Sequence, residues 1–362
     1  MEKRNNWYRK HAKSCAFLRG FAPLIDYGRV VGQVCLTDNQ WAERYSVFLI
    51  YCVSVSILLA FAVFRVLCYF EPANEGVNAV SLMKLLLLTY HVMAWGSHIF
   101  SLRAQWRLGV MFRLLKDNDL GQIYNHHVLR KLAFTFAALC FALSTFNAVT
   151  NVLINRQIIT VPFFPSYFFD IPYLIPLEAV VTHAITYCTA FYTMVCLLLR
   201  IKVRELGDRL LTEKIERDCT EYQQYLQKLL DCMALVENYF GSYCFLNFAL
   251  FVPMICASLY VLFKAQNLSN VEYFVLSFWL VVEVFQLLFV AIPAILLYDE
   301  DELQFMAQQI RAIGIGLNAN GFFTINKSFI ITLFSAVATY FVIILQFSDS
   351  ATQTPLNVTT FH

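Results

Sequence analysis

Two carboxylates, Glu178 and Glu283, stand inside long apolar stretches, where a bare charge is costly and ionisable groups are rare and usually functional. Each must be neutral, paired or turned toward a wet cavity. Tyr173, Thr182 and His183 accompany Glu178, while Tyr273, Ser277, Trp279 and Gln286 accompany Glu283. Another stretch adds Thr145, Asn147, Thr150 and Asn151. These residues could line a pocket in which rings stack and polar groups orient a small molecule, with Asn147, Asn151, Glu178, Thr182, Trp279 and Glu283 as candidate contacts. They could equally form interhelical hydrogen bonds that only fix the bundle. Enzyme chemistry is not indicated, because the chain has neither a His-x-x-x-His with an intervening Glu nor a Gly-x-Ser-x-Gly. His91 and His98 share a helix face without further metal ligands, which predicts core hydrogen bonding. The 11 cysteines are scattered without a CxxC pair, so neither a zinc site nor a disulfide framework follows. No cofactor is implied.

A second pattern lies near the C-terminus. At ~100° per residue, Ser328, Thr332, Ser335, Thr339, Val342 and Gln346 fall along one line of a helix whose other faces are apolar. Lipid cannot satisfy such a stripe, so it must face protein or water. Small hydroxyl residues also suit a packing seam between helices. The large amide of Gln346 fits a seam poorly and favours a water-lined pore, which one helix cannot enclose and several subunits could.

The elements that carry these residues are seven apolar stretches, 46–70, 79–102, 132–155, 173–199, 242–263, 272–298 and 328–347. Each is near the ~20 residues a helix needs to cross a bilayer. Hydrophobic residues make up 59% of the chain and charged residues 14%, a balance outside that of ordinary soluble domains. All but four of the 27 Lys and Arg residues lie on alternate connections. The exceptions are Arg65 and Lys84 within stretches and Arg156 and Lys264 between them. Basic residues collect on the cytoplasmic side, which predicts an inside N-terminus and an outside C-terminus. Arg65 and Lys84, near stretch ends, are expected to snorkel to the headgroups. The formal net charge of +2 is spread over that inner face, so nucleic acid is not an expected partner and membrane lipid is. The first apolar run starts too late for a cleaved leader.

The predicted fold is a single all-α membrane domain over residues 1–362, with residues 1–45 as a cytoplasmic N-terminal segment. Between 200 and 240 apolar residues keep helical spacing without a proline, so the fourth and fifth crossings are expected to extend as helices beneath the membrane. A helix lying in the headgroups is the other reading. Residues 156–172 read as a proline-broken, aromatic-rich outer loop, and 312–321 as a Gly/Asn turn. His126-His127 reads as solvated. Asp299–Glu302 is either a solvated helix end or an acidic vestibule that concentrates cations. Sequons at Asn267 and Asn357 fall on the outer side and mark candidate glycosylation sites; a third, at Asn326, falls inside.

Thr339-Tyr340, five mostly apolar residues and Gln346-Phe347 resemble the C-terminal signature of insect gustatory receptors. Residues 320–327 (NGFFTINK) are similar to the segment that opens that family's last helix. Close matching is confined to the last thirty or so residues; length, helix count and orientation agree over the whole chain. The resemblance implies a ligand-gated, non-selective cation channel opened by a small tastant. It implies a homo- or hetero-tetramer of like subunits in the plasma membrane of chemosensory neurons. It also implies that residues 328–347 line the pore, through Ser328, Thr332, Ser335 and Thr339, with Gln346 and Phe347 at the gate. The sugar-responsive branch tends to carry Glu directly after Thr-Tyr; Phe341 stands there, which leaves bitter-type as the larger remaining group. Insect odorant receptors are the nearest alternative. A G-protein-coupled receptor would need the opposite orientation, and an odd helix count suits transporters with inverted repeats poorly.

Epitope tags at the two termini test the orientation. On unpermeabilised cells only the C-terminal tag should stain; a stained N-terminal tag would reverse the topology and reopen the G-protein-coupled reading.

Overall fold

The computed structural model describes residues 16–33, 45–68, 79–117, 126–158, 171–212, 219–264, 270–299, 317, 319 and 323–352. Eight helices cover nearly all of them: α1 Ala16–Val30, α2 Tyr45–Leu67, α3 Ala79–Asp117, α4 His126–Ile158, α5 Ile171–Thr212, α6 Cys219–Lys264, α7 Asn270–Tyr298 and α8 Lys327–Thr352. Seven of these, α2 to α8, are long and apolar enough to cross a membrane. The fold is all-helical among the described residues, as expected. Of the expected aromatic-rich loop, residues 156–158 and 171–172 belong to the flanking helices α4 and α5, and residues 159–170, Asn267, Asn357 and Glu300–Glu302 lie outside the described residues.

Two helices far exceed a bilayer. α5 has 42 residues and α6 has 46, so at ~1.5 Å per residue each runs for roughly twice the ~30 Å hydrocarbon core. Their amphipathic segments continue as helix past the basic end of the bundle. α3, at 39 residues, extends the same way.

α5 is the central pillar. Some 83% of its membrane window is buried, against 6% for α8. Helices α2, α3, α4, α6 and α7 all pack on it. Tyr192 and Tyr243 are fully buried between α5 and α6, and Thr189 shares a 2.7 Å hydrogen bond with the Tyr243 hydroxyl. Thr193 donates to the main-chain oxygen of Phe289 on α7 at 2.8 Å.

α1 was not expected as a structural element. It packs along α4 and reaches α5, with Phe21 and Leu24 wholly buried. Phe21 meets Phe191 edge-on at 5.9 Å, and the Tyr27 hydroxyl bonds to His183. A side chain at Gly28 would place Cβ within 2.6 Å of the buried Tyr187 ring, so glycine is needed for this approach. Gly32, at φ 74°, closes α1. Its N–H bonds to Arg29 O and that of Gln33 to Gly28 O, the paired bonds of a Schellman stop.

The start of α8 is anchored at the basic end. Ala319 and Ile325 bond across a short turn to Phe323 and Leu317. Asn326 Oδ1 accepts from the Phe329 N–H at 2.8 Å, a standard N-cap. Phe323 and Phe329 stack at 4.3 Å, and Phe248 of α6 meets Phe329 at 4.8 Å. Lys327 pairs with Asp299 at the end of α7, 2.9 Å away. The first residue of the expected acidic vestibule is thus held in an ion pair.

Candidate functional site

Glu178 is fully buried on α5 and is paired. Arg65 Nη2 on α2 donates to its Oε1 at 2.7 Å, and His91 Nε2 on α3 lies 3.2 Å from the same oxygen. The other ring nitrogen of His91 bonds to Leu87 O at 2.8 Å. His98 bonds to Cys52 O at 3.1 Å, so both histidines of α3 serve the core. Arg65 does not snorkel. Only 5% of it is exposed, because a carboxylate three helices deep offers it a closer partner than the headgroups do.

One turn along α5, Thr182 donates to the main-chain oxygen of Glu178. Its hydroxyl accepts from Tyr90 at 3.1 Å and from Asn147 Nδ2 at 3.0 Å. Asn147 also donates to the Tyr90 hydroxyl at 2.9 Å. This network carries polarity from the buried ion pair to a small cavity. The cavity lies between α3, α4, α6 and α7, in the half of the bundle away from the basic end. Leu86, Leu87, Met254 and Val282 give it apolar walls. Tyr90 and Asn147 enter from one side, and Trp279, Glu283 and Gln286 from α7.

Positions 279, 283 and 286 share one helix face, at the spacing that stacks side chains on successive turns. Their partners are few. Glu283 is 5% exposed, and among the described residues its two oxygens accept only from the Ser258 hydroxyl, at 3.3 and 3.1 Å. The indole nitrogen of Trp279 and both amide atoms of Gln286 are buried with no protein partner among the described residues. Buried polar groups are normally hydrogen-bonded, so this cavity is where bonding capacity is left over.

Of the six candidate contacts, Asn147, Trp279 and Glu283 line the cavity, and Thr182 stands one hydrogen bond behind them. Glu178 belongs to the ion cluster instead. Asn151 is described as helix backbone only. Tyr90 and the apolar walls were not singled out; an apolar residue facing a cavity and one facing lipid look alike in sequence.

The stripe on α8 has a definite direction. Ser328, Thr332, Ser335, Thr339 and Gln346 are all exposed. The opposite face meets the bundle through Phe329, Ile330, Phe341, Ile344 and Leu345, with Leu333 buried. Cys256 Sγ of α6 reaches Val337 O at 3.5 Å. The stripe is therefore no packing seam within this chain. Thr332 and Thr339 return their hydroxyl protons to Ser328 O and Ser335 O. Phe347 is described as helix backbone only.

Residues 21–307 and 300–350 match the family model described as 7tm Chemosensory receptor. Gustatory receptor family protein 3 of Caenorhabditis elegans is 22% identical over 306 residues, covering 72% of this chain and 67% of the relative. High-energy light unresponsive protein 1 of the same nematode is 23% identical over 198 residues, and the match covers 45% of each protein. Among solved structures, the insect olfactory receptor OR5 from Machilis hrabei, in complex with eugenol, aligns with a TM-score of 0.61 at 15% identity. That alignment covers 94% of this chain and 99% of the other.

Breaking the buried pair tests the ion cluster. Arg65→Leu takes the guanidinium from Glu178 and should cost about 3–5 kcal/mol, read as a lower thermal midpoint of the purified protein. Adding Glu178→Leu should recover part of the loss. A single variant as stable as wild type would remove the pair from any structural role.

Proposed function

Because the chain belongs to the 7tm chemosensory receptor family, we propose that it is a taste-type receptor channel, a ligand-gated cation channel opened by a small molecule in the α3–α4–α6–α7 cavity. The observation that carries this reading is the separation of two polar features: a cavity with spare hydrogen-bonding groups, and an exposed polar stripe turned away from the chain's own bundle. The first suits a ligand. The second suits an axis shared with other copies, where exposed hydroxyls and the Gln346 amide meet water instead of lipid.

A physical link joins them. α6 contributes Met254 to the cavity and, two residues on, the Cys256 contact to α8. The Phe248–Phe329 contact ties the same helix to the start of α8. A ligand that favours one placement of α6 would thereby bias α8, and differential affinity for two placements is what gating requires. In a tetramer with the N-termini inside, the four stripes would line the conduction path and Gln346 and Phe347 would form its gate near the outer mouth. Apolar rings at a constriction stop conduction by dewetting.

The solved relative was captured with eugenol, a small molecule, which supports ligand entry in this fold. The gustatory relative and the Thr339–Phe347 signature favour taste over odour, and Phe341 favours a bitter-type over a sugar-type ligand. Glycosylation at Asn267 and Asn357 fits the same orientation. The family is one of chemosensory receptors, not of enzymes.

Current recording from cells expressing the chain, screened against a tastant panel, is the test. An active compound should need roughly ten-fold more concentration after Trp279→Ala, since an aromatic wall supplies contact area and orientation. Surface expression should be unchanged. Phe347→Ala should raise ligand-independent current. Equal dose–response curves would move the site elsewhere, and unaltered conduction would remove α8 from the pore.

A further inference from the structure

The cavity holds the two ingredients of a charge-selective site, a buried carboxylate without a cation and aromatic walls beside it. We infer that its ligand is a small, largely apolar molecule bearing one positively charged nitrogen, a protonated amine. This rests on the cavity being the ligand site.

The two buried carboxylates of the bundle differ in one respect. Glu178 has Arg65 at 2.7 Å and His91 at 3.2 Å. Glu283, also buried, has only a serine hydroxyl among the described residues. A carboxyl removed from water stays neutral unless a positive partner and further hydrogen bonds hold it ionised. Among the described residues the chain supplies Glu283 with no cation, and its carboxyl lines an open cavity. Of the buried cations among the described residues, Arg65 is held by Glu178 and Lys202 by Glu205, and neither lines the cavity.

The remaining groups set the rest of the ligand. Gln286 offers a donor and an acceptor, and Trp279 a donor, all unpartnered among the described residues. They fit a hydroxyl, ether or carbonyl near the amine. Aromatic rings attract a cation within about 6 Å of their centroids, and Trp279 and Tyr90 both line the space. Leu86, Leu87, Met254 and Val282 accept only an apolar body. An anion would meet Glu283 with no cation to offset it. A polyol would bring more hydroxyls than these few groups can satisfy.

Matched probes of nearly equal shape test the inference on the full-length chain in lipid nanodiscs: 2-phenylethylamine, charged at neutral pH, and uncharged 2-phenylethanol. In wild type the amine should bind about ten-fold tighter or more, the worth of one well-placed ion pair. Glu283→Gln keeps the size and a partner for Ser258; it should bring the ratio to within about two-fold. The wild-type ratio needs no variant and stands if Glu283→Gln does not fold. Equal affinities in wild type, or an unchanged ratio in Glu283→Gln, overturn the cation inference. The cavity reading survives either result if Trp279→Ala still weakens both probes. Binding of neither probe at millimolar concentration overturns the inference, and if Trp279→Ala also leaves the response to every active tastant unchanged, the cavity reading fails with it.

Discussion

A hydrocarbon surround supplies no water, so a polar group within this bundle must find its partner in protein or in a wet space. The Arg65–Glu178–His91 cluster is the strongest expression of that constraint, tying α2, α3 and α5 through one carboxylate. Threonines along α5 obey it more quietly. Thr182, Thr186 and Thr189 each return a hydroxyl proton to the carbonyl one turn back, which leaves the oxygen free to accept from a neighbouring helix. Thr182 accepts from Tyr90 and Asn147 in this way, and Thr189 bonds to Tyr243. Once these bonds are accounted for, Trp279 and Gln286 at the cavity stand out as unpartnered among the described residues, and the stripe on α8 stands out because it is polar and exposed on a membrane-length helix.

Rigidity and mobility divide along the same lines. α5 is enclosed by five helices and cross-linked by hydrogen bonds, so it is suited to act as a fixed post. α8 is attached mainly through α6 and buries one thin face. Packed interfaces switch between discrete arrangements more readily than they deform continuously. A helix held on one side, with its other side free for neighbouring copies, is the element with the least to lose by moving.

Much of this was readable in the sequence. The seven crossings followed from apolar runs of membrane-spanning length, and the long extensions of α5 and α6 at the basic end from apolar spacing that persists after the charges begin. The wheel of α8 grouped Ser328 through Gln346 correctly, but a wheel cannot say which face meets the bundle; Phe329, Leu333 and Val337 decide that in three dimensions. Pairings between distant residues were hidden. Arg65 and Glu178 lie 113 positions apart, and an arginine near a helix end ordinarily snorkels. α1 escaped notice because it has 15 residues, contains Pro23 and carries Arg19, Asp26 and Arg29, each feature weighing against a buried helix. Its docking depends on Gly28 fitting under Tyr187, which no local pattern reveals.

The most direct measurement of the central claim is thiol accessibility along α8 in the assembled receptor at the cell surface, with a membrane-impermeant reagent and single cysteines. Ser328→Cys, Thr332→Cys, Ser335→Cys and Thr339→Cys should be modified when agonist is present, and modification should block current. Leu333→Cys, Val337→Cys and Ile344→Cys, on the face against α6, should stay protected. Protection of the whole stripe, as lipid contact would give, or modification without helical periodicity would contradict the account.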